Sequence, residues 1–146
     1  MSVTLAQAST IVDAALKKAR ELKQMPQTVV VLDGGGHVVA AKREDGSGII
    51  RFEVAVGKAY GALGMGWGSR TMMERAAQNP NFLAAIVAAS AGRLVPNPGG
   101  VLIRDAGNAI MGAVGISGDT ADKDEACALT GVAEAGLKAD PGGSKA

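Results

Sequence analysis

The chain has 146 residues, 15 basic and 14 acidic, with a formal net charge of +1 at pH 7. A charge so near zero creates no strong field toward nucleic acid or an anionic membrane, and no run of about 18 apolar residues is present to span one. A single cysteine, Cys127, excludes an internal disulfide and any multi-cysteine metal site.

The length suits one domain, taken as residues 1–139 with a flexible tail at 140–146. The N-terminus lacks the pattern of a secretory leader, so a cytoplasmic address is expected. With 21 glycines and only four Phe, Trp and Tyr residues, the core should be tight and built from small side chains.

Thr4 followed by Gln7 is a capping box, and apolar residues from Leu5 to Leu22 keep helical spacing. This predicts a helix to Lys23, supported by an Asp13–Lys17 pair and stopped by Pro26. Thr28 to Leu32 is rich in β-branched residues and predicts a buried strand. Asp33-Gly34-Gly35-Gly36 turns the chain, and His37 to Arg43 returns as its hairpin partner. On that return, His37, Val39, Ala41 and Arg43 should share one face, with Val38, Ala40 and Lys42 on the other.

A second helix is predicted from Ile49 to about Gly64, with Phe52, Val56, Ala59 and Leu63 as its core stripe. Gly57, Gly61 and Gly64 form a flat face open to close approach, and Arg51 and Lys58 project from a common side. Thr71 and Glu74 read as a capping box opening a short helix to Gln78. Asn79-Pro80 starts another, through Val87. Arg93 to Val95 reads as a short strand.

Pro96, Pro98, Gly99 and Gly100 then introduce a hairpin of Val101–Ile103 and Ala109–Ile116, expected at the sheet centre as one wall of a site. Glycines 112 and 115 inside its second strand mark close approach. Asp119, Asp122, Asp124 and Glu125 crowd the first turns of a last helix, where the macrodipole favours acids. Its expected core stripe is Ala126, Leu129, Thr130, Ala133 and Leu137. The order predicts an α+β fold with about five mainly antiparallel strands.

Pro98-Gly99-Gly100-Val101 with Ile103-Arg104, then Gly112-Ala113-Val114-Gly115-Ile116-Ser117-Gly118, then Asp124-Glu125-Ala126-Cys127, form an ordered set. Val31 to His37, Arg43-Glu44-Asp45-Gly46 and Gly57-Lys58-Ala59-Tyr60 precede it. Together these resemble the GlcG/HbpS-like haem-degrading family, over roughly Leu5 to Gly131, and also the C-terminal domain of PduO-type corrinoid adenosyltransferases. The resemblance implies a profilin-like α-β-α sandwich around a five-stranded sheet, assembling as dimers or octamers.

His37 is the only histidine, either a solvent-facing residue after a turn or a metal ligand. One chain building a metal site needs several ligands. His37 therefore suits an axial role or a site shared between subunits. Arg51, Lys58 and Arg104 can pair with carboxylates, or else are solvated charges. Asp33 sits in a turn, where it holds its own backbone or serves a ligand. Gly99 and Gly100 either present backbone N–H groups to an anion or merely turn the chain. Cys127 reads as a small buried hydrophobe, and Met72 and Met73 as core or interface filler. There is no phosphate loop, dinucleotide fingerprint or nucleophile elbow.

Two functions follow. The resemblance implies a haem- or tetrapyrrole-binding protein, with haem as cofactor, His37 on iron, and Arg51 or Lys58 on propionates. The alternative is an enzyme or accessory protein acting on a small organic acid in a catabolic pathway. There Arg51 and Arg104 would orient the carboxylate, with Lys58 or Asp33 moving the proton. Self-association is expected through the glycine face and the Met65, Trp67, Met72, Met73 cluster that follows it.

Overall fold

The computed structural model describes residues 1–143. Helix α1 (Leu5–Glu21) opens on the expected capping box. The Thr4 hydroxyl accepts from the Gln7 amide at 3.1 Å, and the Gln7 side chain accepts from the Thr4 amide at 2.9 Å. The helix stops sooner than proline would require. Lys23 takes φ 54°, and the Gln24 amide reaches back to the Ala19 carbonyl at 3.0 Å. Arg20 then donates to the Gln24 and Met25 carbonyls, closing the end before Pro26. Asp13 pairs across to Lys42 at 2.8 Å, not along the helix to Lys17.

The remaining elements are β1 (Thr28–Asp33), β2 (Val38–Arg43), α2 (Arg51–Met65), α3 (Ser69–Gln78), α4 (Pro80–Ala89), β3 (Gly100–Arg104), β4 (Ile110–Ser117), α5 (Ala121–Glu134) and β5 (Lys138–Asp140). The strands form one sheet in the order β2-β1-β4-β3-β5, with every neighbouring pair antiparallel. This is the expected α+β sandwich, with β4 as its central strand.

Both faces of the sheet are covered, which explains the continuous apolar run of β1. Val29 and Val31 join the core under α1 and α5, while Val30 and Leu32 join the core under α2. A bulge interrupts the second strand: Val31 pairs with Ala40 and Leu32 with Val38. The expected alternation therefore fails, and Val39 and Ala40 both pack on the α1 side.

Helix α2 keeps Val56, Ala59 and Leu63 of its predicted stripe at the core and adds fully buried Ala55 and Ala62, but leaves Phe52 40% exposed. The cause lies in β4 beneath it, because a Cβ on Gly115 would collide with the Ala55 carbonyl. The helix sits so near the strand that only alanine fits at the closest approach, and Val56, Tyr60 and Leu63 pack beside it, partly buried. Gly57 and Gly61 do admit close approach, but from within the chain. Val95 donates its amide to the Gly57 carbonyl at 3.1 Å, and Leu94 packs over Gly61. Arg93–Val95 is thus an irregular segment laid on a helix, not a strand.

Two other expectations change and a third holds. The core face of α5 runs through Asp124, Cys127, Ala128, Gly131 and Val132, because Gly131 meets the Ile11 backbone of α1. Helix α3 starts at Ser69 without a side-chain cap, and the Thr71 hydroxyl instead accepts from the Gly143 amide at 2.8 Å. Asn79-Pro80 opens α4 as predicted, the Asn79 side chain accepting from the Phe82 amide at 3.2 Å.

The segment expected to fray from Asp140 continues the fold through Gly143. β5 pairs with β3, and Pro141 accepts from the Arg70 amide at 3.2 Å. The rest of that expected tail, 144–146, lies outside the described residues. Among the described residues no helix is long and apolar enough to cross a membrane.

The closeness of α2 to β4 is testable at one atom. Gly115→Ala should lower stability by about 1–3 kcal/mol, the usual cost of overpacking a filled core. Urea unfolding would read this as a lower midpoint at unchanged slope.

Candidate functional site

The candidate residues fall at two ends of the sheet. Thr28 pairs with Ser117 at one end of the β1–β4 ladder, and Asp33 pairs with Gly112 at the other. A rise of ~3.3 Å per residue separates these ends by roughly 16 Å.

Arg51, Lys58, Gly99 and Gly100 gather at the first end. Lys58 comes from the buried side of α2, and its side chain is 4% exposed against 1% for Asp124. Its Nζ donates to the Asp124 Oδ2 at 3.0 Å and to the Ile116 carbonyl at 2.9 Å. Asp124 in turn accepts from the Asp119 amide at 3.0 Å. Burial pulls the Lys58 ammonium below its ordinary range and pushes the Asp124 carboxyl above its own, with each partner's charge opposing the other's shift.

Gly99, at φ 117°, makes room for this pair, since a Cβ there would stand 2.9 Å from Lys58 Nζ. The Gly100 amide is not open to an anion, because it donates to the Ser69 hydroxyl at 2.8 Å. Arg51 donates to the Ser117 hydroxyl at 3.2 Å. Lys58 therefore serves the fold, and Arg51 keeps partial access to solvent.

At the opposite end Asp33 organises the β1–β2 turn. Its Oδ1 accepts from the Gly35 amide at 2.9 Å and the His37 amide at 3.0 Å. These bonds, the one from His37 first, hold its carboxyl below the usual range. The same oxygen meets His37 Nδ1 at 3.1 Å. An ionised carboxylate can only accept, so Nδ1 carries the hydrogen, and in the neutral imidazole Nε2 then keeps its lone pair. The His37 side chain is 80% exposed.

Tyr60 reaches this turn from α2, its ring 4.0 Å from where a Cβ on Gly36 would stand. The Arg93 guanidinium stacks on the same ring at 3.8 Å from its centroid.

Arg104 shares neither group. Its Nε donates to Asp140 at 2.9 Å and its Nη1 to the Asn108 carbonyl at 3.0 Å, tying β3 to β5 and to the β3–β4 turn. Cys127 is buried, its thiol pushed up to about 11 by burial. Among the described residues no three His, Cys, Asp or Glu side chains group as a metal cage.

Sequence reasoning missed Tyr60, Arg93 and the role of Asp124. Asp124 looked like one more acid in a helix's first turn, and its spacing from Lys58 gives no local signal. That Tyr60 is the only tyrosine in an aromatic-poor chain is the one hint of a special place.

A family model described as haem degrading protein, HbpS-like, matches residues 3–133. A 15.0 kDa protein from the dhaT-dhaS intergenic region of Citrobacter freundii is 30% identical over 129 residues, covering 88% of this chain and 89% of the relative. The crystal structure of PduOC in complex with haem is similar at a TM-score of 0.85 and 22% identity, covering 94% of this chain and 98% of that one. A double mutant of HbpS from Streptomyces reticuli is similar at a TM-score of 0.78 and 25% identity, covering 91% and 86%.

The Lys58–Asp124 pair predicts a specific pattern of stability. Lys58→Met strands a buried carboxylate and should cost about 3–5 kcal/mol, while Lys58→Met with Asp124→Leu should recover much of the loss. Chemical denaturation of the two variants beside the parent measures both effects.

Proposed function

The chain belongs to the HbpS-like family of haem degrading proteins, and on that premise we propose that it binds haem or a related metallated tetrapyrrole at the β1–β2 hairpin. One observation carries the reading: Asp33 clamps the only histidine by Nδ1 and leaves Nε2 facing solvent. A carboxylate behind an imidazole is the usual support of a metal-bound histidine, fixing both tautomer and ring orientation. A lone histidine is a poor metal cage but suits a metal that arrives with four ring nitrogens of its own.

The surroundings fit. Val38 beside the histidine is exposed, and Tyr60 offers an aromatic face at the turn. PduOC, of the same fold, has been crystallised with haem. Bound here, haem would supply an iron centre, while His37 would ligate it and Asp33 would keep the imidazole aimed.

The organic-acid reading is less well supported by this geometry. Arg51 and Lys58 lie at one end of the sheet, Asp33 at the other, and Arg104 is engaged by Asp140. Lys58, already paired with Asp124, has no free ammonium to move a proton.

Self-association belongs to the same proposal, through a surface other than the one expected. Gly57 and Gly61 are filled from within the chain, Met72 is fully buried, and Trp67 stacks with Arg75. Helix α4 is the better candidate. Its ten residues, PNFLAAIVAA, carry no charge, and none is buried. An uncovered apolar face of that kind marks a partner surface, and a second copy offers the same face by twofold symmetry.

Two outcomes are expected. Titration with haemin should produce a sharp Soret band that collapses in His37→Ala, with Asp33→Asn weakening affinity roughly 10–100-fold. Spectra identical to free haemin at stoichiometric protein would count against the site. Light scattering should report a multiple of 14.6 kDa, and Phe82→Asp on α4 should shift the mass toward the monomer.

A further inference from the structure

Three of the larger apolar residues of α2 stand in line at the margin of its core face, Val56 and Tyr60 partly buried against the core and Phe52 exposed. Phe52, Val56 and Tyr60 recur every four residues, so they form one stripe on the helix surface. At its lower end a cleft of about 240 Å³ is lined by Phe52, Glu53, Val56, Ala91, Gly92 and Arg93. That is below the roughly 300–1,000 Å³ of a pocket enclosing a whole ligand. It suits the edge of a larger flat one.

At its upper end Tyr60 meets the hairpin that carries His37. Arg93 belongs to both ends, since it lines the cleft and stacks on the Tyr60 ring.

Arg20, Arg43, Arg51, Arg70 and Arg104 each donate to a protein acceptor, whereas Arg75 and Arg93 each stack on an aromatic ring instead. Of these two, Arg93 is the one whose ring, Tyr60, reaches the β1–β2 turn. Among the described residues the Arg93 guanidinium meets no acceptor, only the Tyr60 face. Its backbone is fixed by the close seat of Arg93–Val95 on Gly57. Five N–H donors are thus held in a set plane above apolar surface with nothing to receive them. A planar fork of this kind pairs bidentately with a carboxylate.

We infer that Arg93, backed by Tyr60, is the carboxylate-binding residue of the tetrapyrrole site, with Phe52 and Val56 as its apolar floor. The inference rests on the haem-binding reading and deepens it. It also assigns to Arg93 the propionate role expected of Arg51 and Lys58, whose side chains donate to Ser117 and to Asp124 instead. Glu53, on the same cleft, repels a second carboxylate and so confines the ligand's acids to the Arg93 side.

The test compares haemin with its dimethyl ester, which keeps the iron and ring but masks both carboxylates. Arg93→Met should weaken haemin binding roughly tenfold or more, the weight of a charge-assisted hydrogen bond. Arg93→Lys should recover part of the loss, and the ester should bind parent and Arg93→Met equally. Equal haemin affinity in parent and Arg93→Met would overturn the inference, as would an equal loss for haemin and ester. If haemin binds with dependence on His37 but without dependence on Arg93, only this inference fails. If the parent binds no haemin at all, the haem-binding reading fails and takes this one with it.

Discussion

One buried ion pair links the two faces of this molecule. Lys58 lies on α2, which covers one side of the sheet, and Asp124 lies on α5, which covers the other. They meet around the end of β4, where Lys58 also donates to the Ile116 carbonyl. The linkage extends further. Asp124 accepts from the Asp119 amide, and the Asp119 side chain accepts from the Met25 amide at 2.9 Å, in the connection between α1 and β1. A buried pair of this kind adds little net stability over an apolar filling. Its effect is positional, since the bonds close only when both layers and the first loop are in register.

The second constraint is how near α2 sits to the sheet. Gly115 in β4 and the alanines of α2 bring backbone against backbone. Small residues fill the closest approach, so Val56 and Tyr60 pack only partly against the core and Phe52 is left exposed. A tight core and a half-covered apolar stripe are therefore one packing decision viewed from two sides. The proposed ligand seat is the margin of α2 that the core covers only in part.

Local chemistry was readable in the sequence and distant pairing was not. The Thr4 capping box, the Asn79-Pro80 helix start and the glycine turn after Asp33 need only near neighbours, and each stands where the residues put it. The helical stripe of α5 went astray by a fraction of a turn, and that of α2 missed at Phe52. Hydrophobicity alone names the largest residues as core, while close backbone approach selects the smallest. The Thr71 box failed because a residue from the other end of the chain, Gly143, claimed its hydroxyl. Lys58 looked available until Asp124, distant in sequence, neutralised it. Arg93 looked like a strand residue because nothing local tells of Tyr60.

The order of the strands bears on how the chain reaches this state. β1 is among the first elements made, yet it pairs on one side with β4, joining Thr28 to Ser117. Helix α1 likewise waits for α5, which carries the Gly131 that lets the two helices touch. Of these first elements, the β1–β2 hairpin, with its Asp33 turn, can form from neighbours alone. Pairings that span most of a chain make for slow folding, because a long loop must close before its contacts are gained. Until β4 emerges, the apolar run Val29 to Leu32 has one partner strand and an open edge, the stretch most exposed to wrong pairing.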